Sequence, residues 1–91
     1  MDLNELRDQI DALDAQLVEI LAARFQVGEA VGRYKAEHGL PPVDPGREVE
    51  MTARVRAHAE SLGLAPEIAE RVLRSIIDAT VDRHIEISGQ D

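Results

Sequence analysis

The chain has 91 residues, no cysteine and a formal net charge of −8, which is the size of one small domain with a modest core. Its acidity, with a single Tyr and a single Phe, argues against a nucleic-acid-binding protein, because such proteins need a basic surface and side chains that stack on bases. The lack of cysteine excludes disulfides and thiolate metal sites. No apolar run approaches the ~20 residues of a membrane span, and the first residues lack the basic and apolar regions of a secretory signal. We therefore expect a cytoplasmic protein with no membrane partner.

The first predicted element is a helix from about Leu3 to about Glu37, with Asp2 or Asn4 as its N-cap and Gly39 as its stop. Apolar residues, with one tyrosine, recur along it at helical spacing. They are Leu3, Leu6, Ile10, Leu13, Leu17, Ile20, Val27, Val31 and Tyr34. At ~1.5 Å per residue this helix is about 50 Å long, which is more than the rest of the chain can cover.

Arg24 occupies the position on this apolar stripe between Ile20 and Val27. A guanidinium that faces a core is costly unless it meets an anion there. Lys35 follows about three turns later and so returns to nearly the same side of the helix. Together, these cations predict a buried pocket for an anion.

The second predicted helix follows a loop at residues 39–43, which contains two prolines. Asp44 is the expected N-cap, Pro45 the first helical residue and Leu62 the approximate end, with Gly63 as a left-handed stop.

The third predicted helix opens at Pro66 and ends at Ser88 and Gly89. No alternation typical of strands occurs, so the predicted fold class is all-α with three helices per chain. Because the first helix is too long for one chain to cover, we expect an intertwined homodimeric helical bundle. The alternative is a monomeric three-helix hairpin with a bent first helix.

Arg7 lies about 25 Å from Arg24 along the first helix and about 100° away around it. These two side chains cannot readily clasp one small ligand from the same helix. In an antiparallel dimer, however, Arg7 of one chain approaches Arg24 of the other, and the site occurs twice per dimer.

Five stretches of the sequence together resemble the all-helical (type II) chorismate mutases. They are Leu6–Asp14, Leu21–Arg24, Val31–Lys35, Asp44–Glu48 and Ile76–Thr80. The resemblance covers essentially the whole chain and implies a single chorismate mutase domain over residues 1–91, homodimeric, acting in the biosynthesis of phenylalanine and tyrosine.

The resemblance also implies which residues bind chorismate, a small dianion. The implied substrate-binding residues are Arg7, Arg24, Lys35, Asp44, Arg47, Glu48, Thr80 and His84, the implied apolar walls are Val31 and Ile77, and the implied catalytic residues are Arg24, Lys35 and His84. In this scheme Arg7 of the partner subunit, with Arg24 and Arg47, would hold the two carboxylates. Lys35 would bond the ether oxygen and one carboxylate.

The remaining polar positions would contact the ring of the substrate. Asp44 and Glu48 would meet the ring hydroxyl, and Thr80, where the family often has Ser, would contact the ring carboxylate. The implied reaction is a unimolecular rearrangement of chorismate to prephenate that requires no metal and no cofactor. Orientation of the substrate and fixed donors at the ether oxygen suffice for it.

His84 departs from the family pattern, since relatives commonly have Gln or Glu there to donate to the ether oxygen. Thr80 and His84 are four residues apart and share a helix face. A neutral imidazole can donate one hydrogen bond, so we expect weaker catalysis or an acid-shifted optimum. In the alternative register, a slipped third helix turns His84 to solvent.

Other readings of the sequence stay open. The same scaffold could carry an isochorismate pyruvate lyase or a 4-amino-4-deoxychorismate mutase. A non-catalytic helical dimerisation module would instead pair Arg24 and Lys35 with acidic residues. Docking onto another enzyme of the shikimate pathway leaves no mark in the sequence. Arg56, Arg74 and Arg83 are expected on the helix surface.

Overall fold

The computed structural model describes residues 1–89, so Gln90 and Asp91 of the predicted 1–91 domain lie outside the described part. Three α-helices account for most of this stretch: α1 spans Leu3–Glu37, α2 spans Pro45–Ser61 and α3 spans Pro66–Ser88. The predicted all-α fold class is confirmed, and the helix boundaries agree with the prediction to about one residue. None of these helices is long and apolar enough to cross a membrane.

Residues at the helix ends explain why the boundaries were predictable. The carboxylate of Asp2 accepts a hydrogen bond of 2.8 Å from the backbone N–H of Glu5, so Asp2, and not Asn4, caps α1. Asp44 caps α2 in the same way. Gly39 (φ 65°) and Gly63 (φ 76°) take the left-handed conformation just beyond α1 and α2, where a side chain would be strained.

The helices form one flat layer. α3 packs against both α1 and α2, and α1 and α2 do not pack against each other within residues 1–89. The principal extents are 54 × 25 × 14 Å, and the smallest is close to the diameter of one helix, about 10–12 Å. The buried apolar residues in this layer are Ala59, Leu73, Ile77 and Ile87. The layer therefore leaves large apolar surfaces uncovered on its two faces.

The predicted apolar stripe of α1 is one of these uncovered surfaces. Its exposed members have fractional exposures from 43% (Val31) to 65% (Val27). They are Leu3, Leu6, Ile10, Leu13, Leu17, Ile20, Val27, Val31 and Tyr34. α1 is continuous over Leu3–Glu37, and its length matches the 54 Å long axis. The alternative of a bent first helix is therefore wrong.

Gly32 is the buried residue of α1, and it lies against α3. A Cβ atom added there would lie 2.7 Å from Cδ2 of His84 and 3.0 Å from Cδ1 of Ile87. Only glycine allows this approach, because real Cβ atoms do not come so close to other heavy atoms. The contact fixes which part of α3 faces the pocket.

Candidate active site

A cavity of about 430 Å³ lies between the C-terminal half of α1, the start of α2 and the C-terminal half of α3. Its lining consists of Arg24, Val27, Gly28, Val31, Lys35, Pro42, Asp44, Arg47, Glu48, Met51, Ile77, Thr80, Val81 and His84. This volume is within the range of about 300–1,000 Å³ that small-molecule sites occupy. All of the residues predicted for the site line this cavity except Arg7.

Arg7 lies about 25 Å from Arg24, which is about half the length of α1. Its side chain is exposed on the N-terminal half of α1, and Arg7 does not line the cavity. Within one chain the structure does not bring Arg7 to the other predicted site residues.

Several lining residues were missed by the sequence analysis. Met51 lies one turn after Glu48 on α2, and the shared helix face could have indicated it. Val27 belongs to the predicted apolar stripe of α1 but was not predicted for the site, and Val81 directly follows Thr80 on α3. Pro42 carried no signal in the sequence, because it contributes a backbone carbonyl whose position depends on the path of the loop.

The cationic side of the cavity consists of Arg24 and Lys35 on α1. Both are partly buried, and within residues 1–89 neither forms a salt bridge. Arg47, at the start of α2, has only a loose contact of 3.9 Å with Glu50. Arg24 and Lys35 thus have no carboxylate bound to them within residues 1–89, and an anion in the cavity could pair with them.

The acidic residues of the cavity are already engaged. Asp44 accepts a hydrogen bond from the backbone N–H of Arg47 at 3.1 Å. Glu48 accepts one of 3.0 Å from Nη2 of Arg74, whose guanidinium also contacts Asp78 at 2.9 Å. The hydrogen bond to Glu48 is the main reason that the pKa of Arg74 is raised. The prediction of Arg74 as plain helix surface was incomplete, since this half-exposed side chain links α3 to a lining residue of α2.

Thr80 also uses its hydroxyl within the protein. Its Oγ1 donates to the carbonyl of Ile76 at 2.8 Å, as threonines in helices commonly do. Its oxygen can still accept a hydrogen bond, but the hydroxyl must rotate before it can donate to a carboxylate.

His84 lies at the wall of the cavity and is only 4% exposed, so the alternative of a slipped helix with His84 in solvent is wrong. Its Nε2 lies 2.8 Å from the carbonyl oxygen of Gly28. Its Nδ1 lies 3.5 Å from Nζ of Lys35. Both ring nitrogens therefore face protein groups, an arrangement that differs from the direct donor role implied by the family resemblance.

Among residues 1–89 no group of three or more His, Cys, Asp or Glu side chains could hold a metal ion. The charged side chains that line the cavity are instead cationic hydrogen-bond donors and carboxylates. This donor set suits a small organic anion held by cations at one side and by apolar contacts at the other.

The fold and the site thus define a class: all-α proteins with a cationic pocket at the junction of three helices. The family model described as chorismate mutase type II matches residues 6–85. The chain belongs to the type II chorismate mutase family.

Three relatives illustrate the range of proteins that this chain is similar to. It is 43% identical to the T-protein of Enterobacter agglomerans over 84% of this chain and 20% of that protein. It is 40% identical to the T-protein of Haemophilus influenzae over 79% of this chain and 19% of that protein. It is 36% identical to the 4-amino-4-deoxychorismate mutase of Streptomyces venezuelae over 69% of this chain and 61% of that protein. The chain thus spans about a fifth of the two T-proteins.

Proposed function

We propose that this protein is a chorismate mutase, which isomerises chorismate to prephenate in the biosynthesis of phenylalanine and tyrosine. The observation that carries the proposal is that one cavity combines cations with apolar walls. Arg24 and Lys35, which have no salt-bridge partners in residues 1–89, line it together with Val31 and Ile77. Membership of the type II chorismate mutase family supports it independently.

The reaction requires a flexible dianion to be held in a compact shape while one bond breaks and another forms. Arg24 and Arg47 would bind the carboxylates, since a guanidinium pairs with a carboxylate through two parallel hydrogen bonds. Lys35 would stabilise the negative charge that grows on the ether oxygen as its bond to carbon breaks. Asp44 and Glu48 would position the ring hydroxyl, and Thr80 would contact the ring carboxylate. These groups accelerate the reaction by orientation and electrostatics alone.

We propose that the active form is an intertwined homodimer of single domains, in which Arg7 of the partner chain completes each site. The flat shape, 14 Å in its smallest extent, and the exposed stripe of α1 support this assembly, because so much apolar surface would otherwise face water. If the two α1 helices pair in antiparallel orientation, Arg7 of one chain would lie near Arg24 of the other. We also propose, from family membership alone, a cytoplasmic location and docking onto another enzyme of the shikimate pathway.

A second candidate substrate is 4-amino-4-deoxychorismate, since relatives that carry this name are 36% and 30% identical to the chain. An amino group at the ring would be cationic and would favour unpaired carboxylates. Glu48 is instead paired with Arg74 at 3.0 Å, which reduces the negative charge available there. The arrangement therefore favours the hydroxyl of chorismate.

The test is to incubate the purified protein separately with chorismate, isochorismate and 4-amino-4-deoxychorismate and to identify each product by NMR, because the product of a mutase has the same mass as its substrate. We expect prephenate from chorismate, with slower or no turnover of the other two. Formation of pyruvate from isochorismate as the main reaction would instead indicate a lyase.

Arg24→Ala separates the enzyme from a non-catalytic dimerisation module. We expect kcat/KM for chorismate to fall by about 10²–10³ while the helical content and the mass in solution stay unchanged. Arg54→Ala is the matched control, since Arg54 is exposed on α2 and does not line the cavity. If the wild-type protein turns over none of these substrates and the Arg24→Ala protein unfolds or dissociates, the result would indicate the dimerisation module.

A further inference from the structure

Four groups form a continuous chain of contacts behind the cavity. The carbonyl of Gly28 on α1 meets Nε2 of His84 at 2.8 Å, Nδ1 of His84 meets Nζ of Lys35 at 3.5 Å, and the same Nζ donates to the carbonyl of Pro42 at 3.1 Å. These contacts link the C-terminal half of α1, the C-terminal half of α3 and the loop before α2. They therefore tie the position of the Lys35 ammonium to α3 and to that loop.

The contact with Gly28 determines which ring nitrogen of His84 carries the proton. A carbonyl oxygen can only accept a hydrogen bond, so Nε2 must donate at 2.8 Å. In a neutral imidazole the other nitrogen then has a lone pair and no proton. Nδ1 of His84 is therefore an acceptor, and the nearest donor is the Lys35 ammonium.

Gly32 is what allows His84 to adopt this position. A Cβ on residue 32 would lie 2.7 Å from Cδ2 and 3.3 Å from Nε2 of the His84 ring. The ring thus rests directly on the α1 backbone, and only there can its Nε2 reach the Gly28 carbonyl. The orientation of His84 is built into the packing of α1 on α3 and does not depend on a bound ligand.

We propose that His84 is a positioning residue that accepts a hydrogen bond from Lys35 and does not donate to the substrate. An ammonium group has three N–H donors. Pro42 and His84 take two of them, which leaves the third for an anion in the cavity that Lys35 lines. The proposal rests on the proposed function of Lys35. In it, residue 84 does not donate a hydrogen bond to the substrate but sets the direction in which Lys35 donates one.

The 3.5 Å distance is long for a hydrogen bond. In unliganded active sites, hydrogen bonds of catalytic groups are often long and shorten when the substrate is bound. A bound substrate that accepts a hydrogen bond from the third N–H of Lys35 would rotate the ammonium group while its contact with Pro42 stays in place. This rotation would shorten the distance from Nζ of Lys35 to Nδ1 of His84.

The first test is a nitrogen NMR spectrum of the ligand-free protein with ¹⁵N-labelled histidine at neutral pH. We expect the His84 ring to show a protonated Nε2 and an unprotonated Nδ1, with the signal assigned by its loss in His84→Asn. A protonated Nδ1 would overturn the proposal. This measurement needs no substrate, so its result is independent of whether chorismate is turned over.

The second test is a double-mutant cycle between residues 84 and 35, measured as kcat for chorismate. His84→Leu removes the acceptor at similar size, and we expect kcat to fall about tenfold. His84→Asn places an amide oxygen near the position of Nδ1 and should retain most of kcat. In a Lys35→Met background, His84→Leu should have no further effect.

The cycle also distinguishes a positioning role from a merely structural one. If His84→Leu reduces kcat by the same factor with and without Lys35, the histidine acts on the substrate or on the fold and not through Lys35, and the proposal is overturned. If neither wild-type protein nor any variant consumes chorismate, the proposed function fails, while the NMR spectrum still decides the arrangement of His84.

Discussion

Gly32 on α1 lies directly against the His84 ring on α3, and this contact gives a prediction about stability. Gly32→Ala places a methyl group 2.7 Å from the His84 ring, so α3 must shift or the ring must leave the Gly28 carbonyl. We expect a loss of about 1–3 kcal/mol in the free energy of unfolding, measured by urea denaturation at a fixed protein concentration, because the concentration affects the stability of a dimer.

Gly28→Ala is the matched control one turn earlier on the same face of α1. A Cβ there would lie 3.7 Å from the Thr80 methyl group, which is an ordinary contact. Because alanine is the better helix former by about 1 kcal/mol, we expect this variant to be equally or more stable. Equal destabilisation by the two substitutions would contradict the account of Gly32.

Glu29 provides a pH prediction with a definite sign. Hydrogen bonds from Arg83 on α3 (2.6 Å) and from Arg33 on α1 (3.1 Å) hold the pKa of Glu29 below its ordinary value of 4.5, and Arg83 is the larger cause. A lowered pKa in the folded state means that the ion pair stabilises the fold above about pH 4.5 and that this contribution is lost as the pH falls through the lowered value.

Glu29→Gln should therefore make the stability of the protein less sensitive to acid. The midpoint of urea unfolding, followed from pH 6 to pH 3, should decrease less steeply in the variant than in the wild type. Glu19→Gln is the control, since Glu19 has no salt bridge within the described residues. A variant curve parallel to that of the wild type would show that the Glu29 pair does not stabilise the fold.

At the scale of helices, two arginines, Arg56 and Arg74, join α2 to α3 by ion pairs, and only Arg74 contacts a residue that lines the cavity. Arg74 contacts the lining residue Glu48 at 3.0 Å, whereas Arg56 contacts Glu70 at 2.8 Å near the opposite ends of the same helices. We expect Arg74→Ala to raise KM for chorismate several-fold, because Glu48 loses the partner that orients it. Arg56→Ala breaks an equivalent pair and should leave KM unchanged. A similar rise in KM for both would mean that helix packing, and not the orientation of Glu48, sets the affinity.

The helices themselves were predictable because their ends carry local signals. Asp2, Asp44 and Pro45 at the starts and Gly39 and Gly63 at the ends act within one turn of sequence. The cationic face was also predictable, since the spacing of Arg24 and Lys35 along one continuous helix fixes their common side.

The contacts between helices were not predictable in this way. The pairing of Arg74 with Glu48 and the use of both His84 nitrogens depend on how closely α3 approaches its neighbours. That distance is set by the lack of a side chain at Gly32, and periodicity does not report it. The Pro42 carbonyl depends on the path of the loop, which local signals leave undetermined.

At the scale of the whole molecule, the exposed stripe of α1 is expected to be the dimer interface. Leu17 lies in the middle of that stripe and is 50% exposed in the single chain. Leu17→Glu would bury a carboxylate without a partner in the interface, so we expect dissociation and loss of activity. The mass in solution, determined by light scattering, checks the first effect.

Ala15→Glu is the control of equal charge. Residue 15 lies on the opposite side of α1, on the face that carries Asp8 and Glu19. We expect this variant to keep the mass and the activity of the wild type. A wild-type protein that is already monomeric, or a Leu17→Glu protein that remains dimeric, would contradict the proposed assembly.

The central claim is that each site uses Arg24 of one chain and Arg7 of the other, and complementation tests it most directly. Arg7→Ala and Arg24→Ala proteins should each have very low activity alone. When they are unfolded together and refolded, half of the dimers should be mixed, and each mixed dimer has one intact site. The account predicts recovery of about a quarter of the wild-type activity, the statistical share of intact sites. A refolded mixture that contains mixed dimers but remains as inactive as its components would contradict it.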